Sequence, residues 1–178
     1  PRPLHVYSLA PAEPATIPHT AAADTARDIP SFLAAEDRLT GFAYDPFTDH
    51  FFLRLAPGNQ FRVVDRPDRS IKREFTAEGA PTAGGGDLAL KPVTGHLYLL
   101  DPAAPVVHEL TRLGKFVRTI PLAATTMPPT GIAYDAAHDT LLLLAPGPRP
   151  QLTTHTLDGG RIGAVTLDRE VAGALAFD

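Results

Sequence analysis

The amino-acid sequence predicts an all-β fold, a four-bladed β-propeller with four antiparallel strands in each blade. Three observations lead to this prediction. A short motif occurs four times, an apolar strand follows it at a constant distance, and the two ends of the chain fit together to complete one of these four repeats. The motif recurs at a period in the low-to-mid forties, which is typical of propeller blades built from four strands each.

The repeat is clearest in the segments predicted to be the first, innermost strand of each blade. They read GFAYD at 41–45, DLALK at 87–91, GIAYD at 131–135 and ALAFD at 174–178. Their shared alanines are Ala43, Ala89, Ala133 and Ala176, with spacings of 46, 44 and 43 residues. Innermost strands crowd around the propeller axis, and we expect small residues there because they let backbones approach closely.

A second strand follows each of the first three motifs. Phe51, Leu97 and Leu141 each lie eight residues after the alanine, within short apolar runs at 50–53, 96–99 and 140–143. Continuous apolar runs of this length indicate strands that are buried on both faces, as blades between blades must be. The third strands are predicted at 61–65, 106–111 and 152–157, and the fourth at 70–75, 115–122 and 161–167.

The two ends of the chain suggest how the ring closes. Residues 4–11 resemble a second strand, whereas 174–178 would be a first strand without a partner. Placing Pro1 directly after Asp178 reproduces the Asp45-Pro46 turn, and Val6 then falls eight residues after Ala176. We therefore predict one domain, 1–178, whose ring is closed by strands from both ends. The predicted blades are blade 1 (174–178 plus 1–33), blade 2 (40–77), blade 3 (86–123) and blade 4 (130–168). A fragment of a larger propeller is the alternative.

Composition limits the functional classes. The net charge is −4 and basic residues form no stripe, which argues against nucleic-acid binding. The longest apolar runs are too short for a membrane span. The absence of cysteine excludes disulfides and thiolate chemistry. The chain begins with Pro1 rather than Met, so we expect a processed or excised chain. The bias toward Ala, Pro and Arg indicates a bacterial source, and we expect a secreted or periplasmic location.

Asp87 is the strongest candidate for a ligand-binding residue, together with Gly85 and Gly86. Three of the four first strands begin with Gly41, Gly131 or Ala174, and the remaining one begins with this carboxylate. The preceding run of three glycines could bring backbone N–H groups close to a ligand. A cation or an anion in the central channel is the candidate cofactor. The alternative is a carboxylate that caps the glycine turn.

Two other recurring positions are interpreted as structural. His5, His50 and His96 begin three second strands, but second strands lie about 4.8 Å farther from the axis than the first, too far apart for one shared metal ion. Asp45, Asp135 and Asp178 recur at the first turn, where a short carboxylate caps backbone N–H groups. No motif pairs a histidine with a nucleophile, so no catalytic residue is assigned.

The turns DPFTD at 45–49 and KPVTG at 91–95 resemble those of bacterial propellers of the NHL, YncE and SdiA-regulated type. That resemblance implies a propeller fold but no particular activity, and such relatives usually have six or seven blades. Four blades are similar in architecture to hemopexin-like domains, although their aromatic signature is absent here.

The favoured functional hypothesis is a non-enzymatic binding or protein-interaction module that uses loops at the channel mouth. Residues 13–24 and 76–86 are the loops expected to form that face, because long loops on a rigid scaffold often carry specificity. The partner, a protein or a small molecule, is not identified. One alternative is a small metal-dependent hydrolase or lactonase-like enzyme that depends on Asp87. Another is an excised or designed repeat scaffold without its own activity.

Overall fold

A computed structural model describes residues 33–82, 84–125, 127–168 and 173–175. Within these ranges every regular element is a β-strand, and the predicted all-β class is confirmed. The strands are β1 (Arg38–Asp45), β2 (His50–Ala56), β3 (Gln60–Asp65), β4 (Ile71–Thr76), β5 (Leu88–Lys91), β6 (His96–Leu100), β7 (Val106–Leu110), β8 (Phe116–Pro121), β9 (Gly131–Asp135), β10 (Thr140–Ala145), β11 (Gln151–Thr156) and β12 (Arg161–Thr166).

The strands form three antiparallel sheets of four, in which strands adjacent in sequence pair with each other. We call β1–β4 the first sheet, β5–β8 the second sheet and β9–β12 the third sheet. They contain the strands predicted for blades 2, 3 and 4. The register repeats as well, because the residue after each shared alanine pairs with the predicted strand-two residue: Tyr44 with Phe51, Leu90 with Leu97 and Tyr134 with Leu141.

One of the four predicted blades, blade 1, has no counterpart among the described residues. The part of the chain that the structure covers contains three sheets rather than four, and they do not close a ring. Blade 1 was predicted from 174–178 and 1–33, and nearly all of those residues lie outside the described ranges. The four-bladed ring and the blade boundaries therefore remain predictions.

The core lies in two layers on either side of the second sheet. Leu97 and Leu99 of β6 belong to a buried cluster shared with the first sheet. Tyr98 and Leu100, on the opposite face of β6, belong to a cluster shared with the third sheet. This alternation explains the continuous apolar run in the sequence, because both faces of the strand are covered.

The innermost strands of neighbouring sheets approach closely. A Cβ atom at Gly41 in β1 would lie 2.8 Å from the backbone nitrogen of Leu88, at the start of β5. A Cβ atom at Gly131 in β9 would lie 2.7 Å from the carbonyl oxygen of Gly173 and 3.1 Å from the nitrogen of Leu175. At each glycine the shortest of these distances is too short for a Cβ atom, so glycine is needed at both positions for this packing.

The first turns of the first and third sheets follow the predicted chemistry. Asp45 accepts a hydrogen bond from the backbone N–H of Phe47 at 3.0 Å, and Asp135 accepts one from that of Ala137 at 2.9 Å. The capping role predicted for these two aspartates is confirmed, while Asp178 lies outside the described residues.

Candidate functional site

Asp87 lies immediately before β5, and its side chain connects separate parts of the fold. The residue is 2% exposed. Its Oδ2 atom accepts hydrogen bonds from the backbone N–H of Ile132 at 2.9 Å and of Leu175 at 3.1 Å. Ile132 belongs to β9 of the third sheet, and Leu175 belongs to the 173–175 segment. One carboxylate oxygen thus links the second sheet to two other segments beside the innermost strands.

These contacts differ from the turn cap considered for Asp87. The amides that it binds lie 45 and 88 residues away in sequence, not in the preceding glycine run. The repeat explains their arrangement, because Leu88, Ile132 and Leu175 each follow the first residue of a motif. Equivalent backbone positions from different repeats are therefore brought to the same carboxylate.

Arg54 of β2 is the second charged residue of this region and is 0% exposed. Its Nη1 atom donates to the carbonyl oxygen of Leu100 at 2.7 Å and to that of Asp87 at 3.3 Å. Three further polar atoms here are buried and have no hydrogen-bond partner: Nε and Nη2 of Arg54 and Oδ1 of Asp87. The first and second sheets thus share a buried polar region with unused hydrogen-bonding capacity.

Burial dominates the electrostatics of this pair. It raises the pKa of Asp87 to about 6, against the opposing effects of the Ile132, Leu175 and Leu88 amides and of Arg54. It lowers the pKa of Arg54 to about 10, against the opposing effects of Asp101 and Asp87. Near neutral pH Asp87 is mainly a carboxylate and Arg54 a cation, so the region holds two opposite charges away from water.

The Asp87 carboxyl group should make folding stability depend on pH. The pKa of Asp87 is raised in the folded state, so the folded chain binds this proton more tightly than the unfolded chain does. The contribution of Asp87 to stability therefore falls as pH rises from 3.8 to about 6. The full change is about 3 kcal/mol at 1.36 kcal/mol for each unit of pKa. We expect Asp87→Asn to remove this dependence, as measured by urea unfolding between pH 4 and pH 7.

A control with the opposite slope is available. Asp139 has a lowered pKa because Lys91 and Tyr134 hydrogen-bond its carboxylate, so its contribution is lost as pH falls. Asp139→Asn should therefore reduce stability most near neutral pH. If Asp87→Asn and the wild type showed the same pH dependence, the buried carboxyl group would not titrate as described.

The glycine run before Asp87 is required by the backbone. Gly84, Gly85 and Gly86 have φ angles of +95°, +79° and +81°, in a region that favours glycine. A Cβ atom at Gly84 would overlap the carbonyl oxygen of Gly58, and one at Gly86 would lie 3.2 Å from Nη1 of Arg54. The positive φ angles and the close contacts explain why these positions carry glycine. A ligand-binding role for Asp87, Gly85 and Gly86 is untested and stays a prediction.

The histidines at equivalent positions are each bound within their own sheet. Nε2 of His50 lies 3.3 Å from Asp65, and Nδ1 of His96 lies 2.6 Å from Glu109. His5 lies outside the described residues. Among the residues that are described, no group of three or more histidine, aspartate or glutamate side chains is arranged to hold a metal ion.

Sequence reasoning missed the cluster around Glu109. This glutamate is buried in β7, where one oxygen bonds to His96 and to the Tyr98 hydroxyl and the other to Arg118. Arg118 also reaches Asp158 at 2.7 Å, which joins the second and third sheets. The sequence feature that could have revealed this cluster is an acidic residue within the largely apolar strand VVHEL, but the partners of that residue lie on other strands.

A second surface feature consists of apolar side chains at turn tips. Phe47 and Val93 hold equivalent positions in the first turns of the first and second sheets, with exposures of 82% and 89%, and Leu113 is 71% exposed. Arg112 contacts both first turns: its Cζ atom is 6.0 Å from the Phe47 ring centroid, and its Nη2 atom is 3.0 Å from Asp45 and 3.4 Å from the Pro92 carbonyl oxygen. We call Phe47, Val93, Arg112 and Leu113 the turn-tip surface.

No family model and no curated protein sequence matches this chain. The part of the chain that the structure describes contains no helix long and apolar enough to cross a bilayer.

Solved structures do resemble the fold. One is a chain of a nidogen/laminin complex, with a TM-score of 0.64 and 15% identity over 80% of this chain and 53% of that one. A second is a Kuenenia stuttgartiensis hydrazine synthase, with a TM-score of 0.56 and 11% identity over 82% of this chain and 40% of that one. A third is U3-55K, with a TM-score of 0.57 and 11% identity over 81% of this chain and 44% of that one. The chain thus spans about half or less of each of these three chains. At these identities the likeness concerns the fold alone, and it supports a propeller-like arrangement of four-stranded sheets.

Proposed function

We propose that this protein is a β-propeller interaction module that binds another protein through the turn-tip surface. The observation that supports this proposal is the exposure of Phe47, Val93 and Leu113 around one arginine. Large apolar side chains exposed together on a rigid scaffold are typical of binding surfaces, and aromatic residues and arginine are common energetic centres of interfaces.

The charges near the turn-tip surface favour an acidic partner. Its nearest carboxylate, Asp45, is already bound by Arg112 and by the turn backbone. Lys115 and Arg69, in the turns between the third and fourth strands, have no ion-pair partner among the described residues. We therefore expect a partner that presents apolar side chains flanked by Asp or Glu, which these free cations would attract.

The proposed scaffold is a closed four-bladed ring. Support comes from the third sheet, where Gly131 meets 173–175 in the way that Gly41 meets the start of β5. We infer from this equivalence that 173–175 occupies the position of the next innermost strand of the proposed ring. On the far side, Leu53, Leu55 and Val64 form an apolar cluster on the face of the first sheet opposite the second, which suits a further blade. The NHL, YncE or SdiA-regulated type of blade is part of the same proposal.

The sequence predicts a binding site at the channel mouth near Asp87. The turn-tip surface lies at the other end of the innermost strands, because Phe47 and Val93 follow β1 and β5 whereas Asp87 precedes β5. We favour the turn tips because their side chains are exposed, whereas the side chain of Asp87 is buried and bonded.

A peptide-display selection tests the function. Peptides would be selected on the wild type and depleted on a variant with Phe47, Val93 and Leu113 all changed to serine. We expect enriched sequences that combine apolar and acidic residues. Their affinity should fall at least tenfold in the variant, because losing one energetic centre alone costs more than about 1.4 kcal/mol.

The control removes exposed apolar side chains elsewhere. Ile162 and Val165 of β12 are exposed, so changing both to serine keeps the loss of apolar surface but spares the turn tips. Binding should survive in this control. Peptides that bind the turn-tip variant as well as the wild type, or that lose affinity equally in the control, would refute the proposal.

A further inference from the structure

The free edges of the innermost strands present backbone N–H groups to a common point. β9 uses one edge to pair with β10, and from its other edge the N–H of Ile132 reaches Asp87. Leu88 has the same register position in β5 and Phe42 in β1, since Leu88 pairs with Leu99, Phe42 with Leu53 and Ile132 with Leu143. Equivalent positions in the repeats therefore offer equivalent N–H groups.

Two of these N–H groups meet at the carboxylate of Asp87. Ile132 and Leu175 donate to Oδ2 at 2.9 and 3.1 Å, and the amide of Leu88 also favours the ionised form. We call these three amides, with that of Phe42 placed by its register, the axial amide site. Backbone N–H groups that converge on one point bind anions, because each contributes a partial positive charge.

The charge of Arg54 decides which ion this position suits. Its guanidinium is buried, donates to the backbone carbonyl oxygen of Asp87 and interacts electrostatically with that residue. Two of its nitrogen atoms, Nε and Nη2, have no hydrogen-bond partner. A cation would be repelled both by the guanidinium and by the N–H dipoles, whereas an anion is attracted by both.

We propose that the axial amide site is a binding site for one small carboxylate, which Asp87 occupies from within the chain. The other three repeats carry Gly41, Gly131 and Ala174 at the position of Asp87, so a single side chain fills the site. Shortening Asp87 to alanine makes the site available to a free carboxylate such as formate or acetate.

Chemical rescue tests this inference. Thermal unfolding of Asp87→Ala would be measured near pH 7.5 with increasing sodium formate, beside a matched series in sodium chloride. We expect the variant to melt below the wild type and formate to raise its melting temperature by about 3–6 °C at roughly ten times its dissociation constant. The wild type should not respond, because its own carboxylate occupies the site.

Asp135→Ala is the matched control, since Asp135 is also a buried aspartate that accepts backbone N–H bonds, but in a turn. Formate should not rescue it beyond the effect of chloride. Equal shifts in the wild type and both variants would show a general salt effect and overturn the proposal. A folded Asp87→Ala variant that ignores formate and acetate would overturn it as well.

A second measurement applies if Asp87→Ala fails to fold. In the wild type, the amide resonances of Ile132 and Leu175 should shift together with pH as the carboxyl group that they bind titrates. Asp87→Asn keeps an acceptor oxygen but cannot ionise, so these shifts should be absent in that variant. Amide resonances that do not respond to pH in the wild type would show that no anion is held there.

Discussion

Arg54→Ala should lower the free energy of unfolding by about 3–5 kcal/mol, the usual cost of removing one partner of a buried charged pair. The guanidinium satisfies the carbonyl oxygen of Leu100 and offsets the buried charge of Asp87. Its loss leaves both uncompensated and opens a cavity between the first and second sheets. Urea unfolding at pH 7 measures the change.

Two companion variants make this result specific. Arg66→Ala removes an exposed arginine that is paired with Asp49, and because water screens this pair the substitution should change stability far less than Arg54→Ala does. Adding Asp87→Asn to Arg54→Ala should recover part of the loss, because the unpaired buried charge is removed together with its partner. Strictly additive effects of the two substitutions would show that Arg54 and Asp87 are not coupled.

Deleting residues 173–178 should unfold most of the chain at room temperature. The deletion removes the amide of Leu175 from Asp87 and the segment that packs on Gly131. If these residues also close the proposed ring, the loss approaches the whole stability of a domain, about 5–15 kcal/mol. Circular dichroism and thermal unfolding of the shortened chain check this expectation.

A circular permutant separates ring closure from simple truncation. Residue 178 would be joined directly to residue 1, and the chain would be opened between Pro148 and Arg149, which are exposed between β10 and β11. A direct peptide bond requires the two joined Cα atoms to lie about 3.8 Å apart. The closed ring predicts a folded permutant. Folding only when a long Gly/Ser linker replaces the direct bond would contradict it.

The strands could be predicted because their positions follow a local rule. Ala89 is a small residue in a first strand, where neighbouring sheets approach closely. The apolar run that contains Leu97 and Leu99 reflects a strand whose two faces are both covered. The same pattern recurs in every repeat, so each unit supports the assignment of the others. The turn aspartates were predictable for a similar reason, since their partners lie two or three residues away.

The polar contacts between sheets could not be predicted in the same way. Asp87 was identified because it departs from the repeat, but its partners lie in other repeats and the repeat pattern does not pair them. Arg54 was missed because it lies in an apolar strand and bonds to backbone oxygens 33 and 46 residues away. Such contacts depend on how neighbouring sheets pack, which a periodic pattern does not specify.

The second sheet departs from the repeat at Asp87, Lys91 and Gly95, and this has a consequence for assembly. Asp87 binds an amide of the third sheet, and Lys91 binds Asp139 of the same sheet. Gly95 leaves room for Arg112, which binds Asp45 of the first sheet.

Similar adjacent repeats are prone to misassembly and to exchange between chains. Here the two interfaces of the second sheet are chemically different, so a unit in the wrong place would bury a carboxylate without its amides. The order of the repeats is thus encoded by a few polar residues, while the apolar core encodes only that the repeats stack.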